Sequence, residues 1–231
     1  MYHSPYISII IPAINEEESI GLVLNDIPKK LAREIIVADN GSHDNTVNVA
    51  TILGAKVVSE PLRGYGAACL RGISELKKDT DIVVFLDADY SDYPQDIHTI
   101  LKPMITGNAE MVIGSRMLGE REKGALLPQA LFGNKLAALL IRLFWRFRYT
   151  DLGPFRAISY KALLALNMAD KNFGWTVEMQ IKALKKGLQI AEVPVRYRKR
   201  VGKSKITGTL SGTVRAGVKI IYTIFKYGLV K

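Results

Sequence analysis

The sequence predicts an α/β fold in which a doubly wound, mostly parallel sheet carries helices on both faces. Short runs rich in β-branched residues alternate with segments of helical spacing, and these runs are residues 7–12, 34–39, 56–59 and 81–86. Residues 9–11 and 82–86 are apolar without alternation, as is typical of central strands that helices cover on both faces. Together these patterns indicate parallel β/α units.

The connections between the runs carry their own signals. The first run leads into a loop at residues 12–15, where Asn15 and Glu18 form a capping-box pattern. This pattern predicts a helix from there to about Pro28. The second run ends in residues 39–42, whose sequence Asp-Asn-Gly-Ser is typical of a turn.

Two later segments, residues 126–148 and 214–231, predict amphipathic cationic helices. In the first of them, the basic residues Lys135, Arg142 and Arg146 share one helical face, and Leu, Ile, Phe and Trp surround the remainder. Two interpretations stay open. The helix either lies on a membrane surface or packs on the core with a solvated basic stripe.

Length and composition indicate a single domain over residues 1–231. At 48% hydrophobic composition the chain can bury a substantial core, and no repeat or linker divides it. The one cysteine, Cys69, lies among small apolar residues, which predicts a buried inert thiol in a reducing compartment. We find no secretory signal and no apolar stretch of about 20 residues, so we expect neither export nor a membrane span.

The net charge of +10 is concentrated near the end of the chain. No acidic residue follows Glu192, whereas ten Lys and Arg residues do. A local basic block indicates an anionic partner, which can be nucleic acid, phosphate or an anionic membrane leaflet.

Two carboxylates stand at the end of an apolar strand. Asp87 and Asp89 follow directly on residues 82–86, so the alternation of a strand puts both on one side at its carboxyl end. Ligands bind at that edge in open α/β sheets. Carboxylate oxygens suit Mg²⁺ or Mn²⁺, hard cations that also bridge the phosphate oxygens of a diphosphate. The strand before the pair and the turn at residues 90–94 favour a metal site over two solvated acids.

Four motifs follow one another in the first half of the chain: IIIPAINE at residues 9–16, VADNGSHDNT at 37–46, GYGAA at 64–68 and LDAD at 86–89. In this order they resemble the family 2 glycosyltransferases, particularly the group of dolichyl-phosphate mannose or glucose synthases. Further likeness extends almost to the end of the chain, at residues 114–116, 150–156, 174–178 and 192–205. The resemblance implies a Rossmann-like GT-A fold and an inverting enzyme that uses a nucleotide-diphosphate sugar as donor.

The resemblance also assigns residues to the donor. Pro12, Asn15 and Glu16 line the nucleotide site in this interpretation, and Asp39 contacts the base or the ribose. Residues 1–113 then form the half that binds the nucleotide sugar. Residues 114–231 form the half that binds the acceptor, with the basic amphipathic tail.

In the same interpretation, Asp87 and Asp89 bind the metal, and Asp89 is catalytic. The family commonly places Gln two positions after the second Asp, where this chain has Ser91. Ser91 is a poorer ligand than Gln, so Asp92 or water is the alternative ligand. Gly64 and Gly66 permit a close approach of backbone to ligand, although a helix entrance explains them more simply.

Basic side chains recur where the resemblance implies phosphate groups, and guanidinium groups suit phosphate oxygens. These residues are Arg116, Arg156, Arg196, Arg198, Arg200, Lys203 and Lys205. The run around Arg156 predicts a strand and a site residue. Arg196, Arg198 and Arg200 alternate along another predicted strand and share a face, with Arg198 assigned to catalysis. Residues 202–205 predict a loop that closes over the diphosphate or grips an acceptor phosphate.

Glu178 stands near the start of a predicted helix that runs to about Lys186. In family members with hydroxyl acceptors, an acid near this position acts as general base. A phosphate acceptor is already ionised at neutral pH and needs no base. Glu178 can equally orient the donor or cap the helix.

The sequence thus favours transfer to a polyprenyl phosphate by a cytoplasmic enzyme at the inner face of the cell membrane, held there by the anionic membrane surface. Transfer to a hydroxyl group of a glycan or lipid, with Glu178 as base, is the second interpretation. A nucleic-acid-binding protein is the third, but no nucleic-acid motif is present and aromatic residues are sparse around the basic block. A nucleotidyltransferase requires a basic Gly-rich loop after the first strand, which residues 13–16 lack.

Overall fold

The computed structural model describes residues 4–202 and 210–229. Its strands are β1 (Ile7–Ala13), β2 (Glu34–Asp39), β3 (Lys56–Ser59), β4 (Ile82–Phe85), β5 (Met111–Ser115), β6 (Arg156–Ser159) and β7 (Ile190–Pro194). Its helices are α1 (Ile20–Asp26), α2 (Thr46–Ile52), α3 (Tyr65–Ser74), α4 (Ile97–Ile105), α5 (Pro128–Trp145), α6 (Tyr160–Leu166), α7 (Trp175–Lys185) and α8 (Leu210–Leu229).

All seven strands belong to one mixed sheet in the order β3-β2-β1-β4-β6-β5-β7. Strand β6 runs antiparallel to its neighbours β4 and β5, and the remaining pairs are parallel. The four predicted runs of β-branched residues all form strands, and the mostly parallel α/β fold is confirmed.

Two apolar cores lie on opposite faces of this sheet. Helices α1, α2 and α4 pack on one face around Ile9 and Val84. Helices α3, α5, α6, α7 and α8 contribute to the other core, which holds Ile10, Phe85 and the buried thiol of Cys69. The alternation of β1 and β4 divides each strand between the two cores, so both strands are fully buried, as their unbroken apolar runs predict.

The capping-box prediction at Asn15 is wrong. Helix α1 begins at Ile20, and Asn15 adopts a left-handed backbone with φ of 51°. Its side-chain oxygen accepts a hydrogen bond of 2.8 Å from the backbone N–H of His43. Asn15 therefore links the loops after β1 and β2 and does not cap the helix.

Both predicted amphipathic helices are present, as α5 and α8, and they pack against each other through the Phe144 and Phe225 rings at 5.4 Å. The side chains of Lys135 and Arg142 are exposed on α5, and that of Arg146 is exposed just beyond its end, where the backbone turns left-handed with φ of 57°. Within the two described stretches of chain, none of the helices combines the length and apolarity that a membrane crossing requires.

Candidate active site

A cavity of about 250 Å³ opens at the carboxyl ends of β1 and β4. Five of the predicted site residues line it: Pro12, Glu16, Asp87, Asp89 and Arg200. The parallel register of β1, β2 and β4 brings the ends of these three strands to one edge of the sheet. Open α/β sheets bind ligands at this edge.

The two carboxylates after β4 both face this cavity and differ in their partners. The Asp87 Oδ1 atom accepts a hydrogen bond of 3.0 Å from the Tyr65 hydroxyl. The Asp89 Oδ1 atom accepts bonds from Ser91, 2.9 Å from its backbone N–H and 2.6 Å from its hydroxyl. Burial, together with the neighbouring charge of Asp89, raises the pKa of Asp87 to about 7. The pair therefore concentrates negative charge that favours a cation.

Ser91 and Asp92 stand apart from the cavity. The Ser91 hydroxyl is used in orienting Asp89, as just described, and its side chain is buried. Asp92 is also buried, and neither of its carboxyl oxygens has a hydrogen-bond partner among the described residues. Burial, and then the charges of Asp87 and Asp89, raise the pKa of Asp92 well above its ordinary range. Neither side chain lines the cavity.

Arg200 links two parts of the site. Its Nη2 atom lies 2.8 Å from Glu16 Oε1, and its Nη1 atom lies 3.0 Å from Asp89 Oδ2. The guanidinium group therefore joins the loop after β1 to the loop after β4. Glu16 is itself buried, and its other carboxylate oxygen accepts a hydrogen bond of 3.1 Å from the Ser19 hydroxyl.

Asp39 and Asn40, at the end of β2, shape the wall of the cavity. The Asp39 carboxylate accepts hydrogen bonds from the backbone N–H groups of Gly41 and Ser42. The Asn40 side chain donates to the carbonyl groups of Glu60 and Leu62 and accepts from the N–H of Gly64. Asn40 lines the cavity, and Asp39 does not.

The segment of residues 170–173 forms a wall that the sequence did not indicate. A Cβ atom on Gly64 or Gly66 would overlap the carbonyl oxygen of Lys171 or Asp170, respectively. The two glycines thus allow the backbone of residues 170–173 to pack closely against the start of α3. Phe173, at its end, lines the cavity.

Arg116 meets a carboxylate of the protein itself. Its Nε and Nη2 atoms each lie 2.8 Å from an oxygen of Asp151, and its backbone N–H donates to the same group. Asp151 is fully buried. Although that burial raises the pKa of Asp151, the adjacent Arg116 outweighs it and holds the pKa below its ordinary value. Arg116 does not line the cavity.

The prediction that Arg156 binds phosphate requires correction. Arg156 does begin a strand, β6, but its side chain has no exposed surface. Its guanidinium group donates to the backbone carbonyls of Gly153, Pro154 and Thr176. The buried side chain thus joins the loop before β6 to the first turn of α7, and it does not line the cavity.

The predicted strand through Arg196, Arg198 and Arg200 is also wrong. Residues 195–200 form an extended segment with isolated bridges at Tyr197, and its three arginines reach different partners. Arg196 pairs with Asp96 at 2.6 Å, outside the cavity.

Arg198, the predicted catalytic arginine, donates to the carbonyl groups of Tyr90 and Asp92. Its guanidinium lies 3.3 Å from the Tyr90 ring centroid. It does not line the cavity, so its contacts assign it to holding the loop after β4. Lys203 and Lys205 lie outside the described residues.

Glu178 lies in α7, away from the cavity. Its carboxylate accepts bonds from the backbone N–H groups of Ala169 and Asp170, from the Tyr227 hydroxyl at 2.7 Å, and from Lys182 at 2.8 Å. Burial raises its pKa, but these hydrogen bonds, led by that of Lys182, outweigh the effect and lower the pKa. The group thus anchors α8 and the 170–173 segment to α7, and its role as a base for a hydroxyl acceptor stays a prediction.

The sequence model of the family described as "Glycosyl transferase family 2" matches residues 8–163, about two thirds of the chain. The chain belongs to this family. It is therefore a family 2 glycosyltransferase, and the predicted enzyme class is confirmed.

Similar proteins include other glycosyltransferases. An uncharacterized glycosyltransferase of Mycobacterium tuberculosis is 34% identical, over 91% of this chain and 94% of the relative. A dolichyl-phosphate hexose transferase of Haloferax volcanii is 30% identical, over 87% of this chain and 86% of the relative. Among solved structures, glucosyl-3-phosphoglycerate synthase of M. tuberculosis with Mn²⁺ and UDP-glucose has a TM-score of 0.75 and 26% identity, over 98% of this chain and 80% of that one.

Several residues at the cavity of this family 2 glycosyltransferase escaped the sequence analysis. Tyr65 and Asn40 line the cavity and lie within two of the four motifs. The motifs therefore indicated their positions, but the sequence analysis considered only the neighbouring Gly64, Gly66 and Asp39. Arg63 precedes the third motif directly and also lines the cavity. Phe173 stands in no motif, and only the fold brings it to the cavity.

Proposed function

We propose that this glycosyltransferase transfers a sugar, with inversion, from a nucleotide-diphosphate sugar to a polyprenyl phosphate, and that it needs Mg²⁺ or Mn²⁺. The observation that carries the proposal is the cavity in which Asp87, Asp89 and Arg200 meet at the carboxyl edge of the sheet. Paired carboxylates beside a guanidinium suit a ligand that combines a divalent cation with a diphosphate.

The residues at the cavity fit such a metal. Asp87 and Asp89 offer hard oxygen ligands, and the raised pKa of Asp87 reflects the repulsion and burial that a bound cation relieves. Among the described residues, no group of three or more His, Cys, Asp or Glu side chains is arranged so that it could hold a metal ion. Mg²⁺ commonly uses one or two carboxylates and takes its other ligands from substrate phosphates and water. We assign the metal to Asp87 and Asp89 on this basis.

The remaining residues of the cavity act on the donor by position and charge. The metal, when bound, supplies positive charge that stabilises the departing diphosphate. Arg200 and Arg63 line the same cavity and add donors for phosphate oxygens. Pro12 and Asp39 lie at the carboxyl ends of β1 and β2, and Glu16 lies in the loop after β1; we place the nucleotide there. Catalysis then consists of holding the acceptor oxygen in line with the anomeric carbon while the leaving group is neutralised.

The acceptor assignment draws on two further features. The Haloferax relative is named for transfer involving dolichyl phosphate, a polyprenyl-type phosphate. In addition, the described lining of the cavity includes no base other than the metal-site carboxylates and Glu16, which pairs with Arg200. A phosphate acceptor arrives with an ionised oxygen and needs none. Transfer to a hydroxyl group, with Glu178 as base, is the competing assignment.

A lipid-linked acceptor requires contact with a membrane, for which α5 and α8 offer a surface. The α5–α8 surface consists of exposed apolar side chains of these two helices beside exposed basic ones. Its apolar members are Phe132, Leu139, Leu143, Val214, Val218, Tyr222, Phe225 and Leu229. Its basic members are Lys135, Arg142, Arg146, Arg215 and Lys226. Apolar and cationic groups on one face suit the boundary of an anionic leaflet, so we propose peripheral attachment at the inner face of the membrane.

The division into residues 1–113 for the donor and 114–231 for the acceptor accompanies this proposal. Glu16, Asp87 and Asp89 fall in the first part, as do Asn40 and Tyr65. The α5–α8 surface falls in the second part. Arg200 belongs to the second part but lines the cavity formed by the first. The two parts are therefore regions of one fold that contact different substrates.

A panel of nucleotide sugars tests the function. The enzyme is incubated with Mn²⁺ or Mg²⁺ and each donor, with polyprenyl phosphate, with phosphoglyceric acid, with a hydroxyl-bearing glycolipid, or without acceptor. We expect a lipid-soluble glycosylated product only in the polyprenyl-phosphate arm and only with metal. Transfer confined to the glycolipid or phosphoglyceric acid arm would overturn the acceptor assignment, and full turnover in excess chelator would overturn the metal.

A further inference from the structure

We propose that Tyr65 is a positioning residue for the metal site, because its hydroxyl group fixes the Asp87 carboxylate in the orientation that binds the cation. The inference rests on the metal-dependent transfer proposed above. The hydroxyl lies 3.0 Å from Asp87 Oδ1, and the tyrosine itself lines the cavity. A bond to one carboxylate oxygen restricts rotation of the group, and the second oxygen keeps its lone pairs for a ligand.

The backbone of Tyr65 is held from two sides. The residue opens α3 directly after Gly64, whose φ of 148° only glycine adopts readily. The Gly64 N–H donates a bond of 2.7 Å to Asn40 Oδ1, and the Ala67 N–H donates a bond of 2.9 Å to the Lys171 carbonyl. The first turn of α3 is therefore fixed to the loop after β2 and to the 170–173 segment.

The ring of Tyr65 is fixed relative to the strand that carries Asp87. It packs edge-on against Trp175 at 6.1 Å between centroids, and Trp175 packs edge-on against Phe85 at 4.7 Å. Phe85 is the last residue of β4, two positions before Asp87. Packing of Phe85 on Trp175 and of Trp175 on Tyr65 thus fixes the Tyr65 hydroxyl relative to β4, the strand that precedes Asp87.

This arrangement is that of an outer-shell partner to a metal ligand. Hydrogen bonds from such partners orient the ligand, and their removal typically weakens metal binding by 10-fold to 100-fold. A tyrosine that only packed against Trp175 would keep that contact as phenylalanine and leave metal affinity unchanged. The hydroxyl oxygen alone distinguishes the two roles.

The test compares Tyr65→Phe with Tyr149→Phe. Tyr149 is a matched control because its buried hydroxyl also makes one bond, 3.1 Å to the Gln180 carbonyl, and the residue does not line the cavity. Binding of Mn²⁺ in the presence of UDP is measured by titration calorimetry on the full chain, without turnover. We expect roughly 10-fold to 100-fold weaker binding in Tyr65→Phe and wild-type affinity in Tyr149→Phe.

Initial rates over a range of Mn²⁺ concentrations give a second readout. Tyr65→Phe should need more metal for half-maximal rate and recover most of kcat at saturating metal. Wild-type Mn²⁺ affinity in Tyr65→Phe, or an equal loss in both variants, would overturn the inference. If the wild type itself does not bind Mn²⁺ with UDP, the metal-dependent function is overturned and this inference with it.

Discussion

The Asp89 carboxylate makes three polar contacts at the cavity, two with Ser91 and one with Arg200. These contacts give the side chain no part in packing the apolar core. We therefore expect Asp89→Asn to reduce turnover by about 100-fold or more while the protein stays folded. An amide keeps the shape of the carboxylate but is a poor ligand for a hard divalent cation. Initial rates at saturating donor and metal, with thermal melting of both proteins, measure the effect.

Asp79→Asn provides the control. Asp79 is an exposed acid that pairs with Arg33, and it does not line the cavity. This variant should keep wild-type turnover. If Asp89→Asn retained more than about a tenth of the wild-type rate, the carboxylate would not have the metal-binding role assigned to it.

Glu178→Gln separates the two acceptor classes. If the acceptor is a phosphate, the variant should keep kcat within about tenfold of the wild type, whereas a missing general base costs on the order of 100-fold to 10,000-fold. Arg200→Ala, which removes a guanidinium from the cavity, should be the more damaging change. The rates of the two variants, each checked for folding by thermal melting, distinguish a phosphate acceptor from a hydroxyl acceptor. A folded Glu178→Gln without activity would contradict the polyprenyl-phosphate assignment.

The same residue should make stability depend on pH. Because hydrogen bonds lower the pKa of Glu178 in the folded protein, its ionised form contributes stability above its ordinary pKa of 4.5. That contribution is lost as the pH falls through the lower, folded pKa. We expect the wild type to exceed Glu178→Gln in unfolding free energy at pH 7, by about 1–3 kcal/mol, and the gap to close in acid. Urea unfolding at several pH values measures it, and a gap that widens in acid would show that the sign is wrong.

The sequence indicated which residue types the site contains better than it indicated where their side chains point. Asp87 and Asp89 were predictable because their position at the end of an apolar strand fixes their location. The arginines were not, because a guanidinium binds whichever acceptor the fold supplies. Asp151 pairs with Arg116, and the Thr176 carbonyl with Arg156, only after segments 35 and 20 residues apart meet in the fold. Of the arginines predicted for the site, Arg200 is the one that lines the cavity.

At the scale of elements, two glycines of α8 should respond in opposite ways to alanine. A Cβ atom on Gly228 would come within 2.7 Å of the Phe144 ring on α5, whereas one on Gly217 would meet nothing within 4 Å. Gly228→Ala should therefore destabilise the protein by about 1–3 kcal/mol through overpacking. Gly217→Ala should stabilise it by up to about 1 kcal/mol, because alanine favours the helix.

Urea unfolding of the two variants checks this pair, each serving as control for the other. A loss of stability in both would mean that α8 tolerates no added side chain for reasons other than contact with Phe144. Wild-type stability in Gly228→Ala would show that α5 and α8 separate easily at this end.

Strands were predicted more closely than loops and helix starts. The runs at residues 34–39 and 56–59 match β2 and β3 residue for residue, because the β-branched residues at the centre of each run favour an extended backbone. The start of α1 was missed because the Asn15 side chain binds the loop after β2. Residues 195–200 alternate like a strand but lie beside loops after β4 and β5, so they find no partner strand with which to form a ladder.

For the molecule as a whole, the α5–α8 surface predicts salt-sensitive attachment to anionic membranes. The protein should sediment with anionic vesicles at low salt and be released at high salt, since screening shortens the reach of exposed charges. Cosedimentation with vesicles of anionic and of neutral lipid measures the effect. Equal binding to both kinds of vesicle would contradict an electrostatic attachment.

A pair of variants locates the attachment. Leu143 is 69% exposed on α5, and Ile52 is 77% exposed on α2, which packs on the opposite face of the sheet. Leu143→Ser should weaken vesicle binding roughly tenfold, because an inserted leucine contributes about 1.5 kcal/mol or more. Ile52→Ser should bind like the wild type. Equal weakening in both would place the contact elsewhere.

The bridge from Arg200 to Glu16 joins residues 184 positions apart, the widest separation among the contacts at the cavity described above. Contacts between residues so far apart in sequence slow folding, because the chain loses loop entropy before they form. During synthesis on the ribosome, a chain that has emerged only as far as β6 already contains Glu16, Asp87 and Asp89. It still lacks the guanidinium that lies between Glu16 and Asp89 in the finished protein. The ion pairs that join the loop after β1 to the loop after β4 therefore form only once the last fifth of the chain has been made.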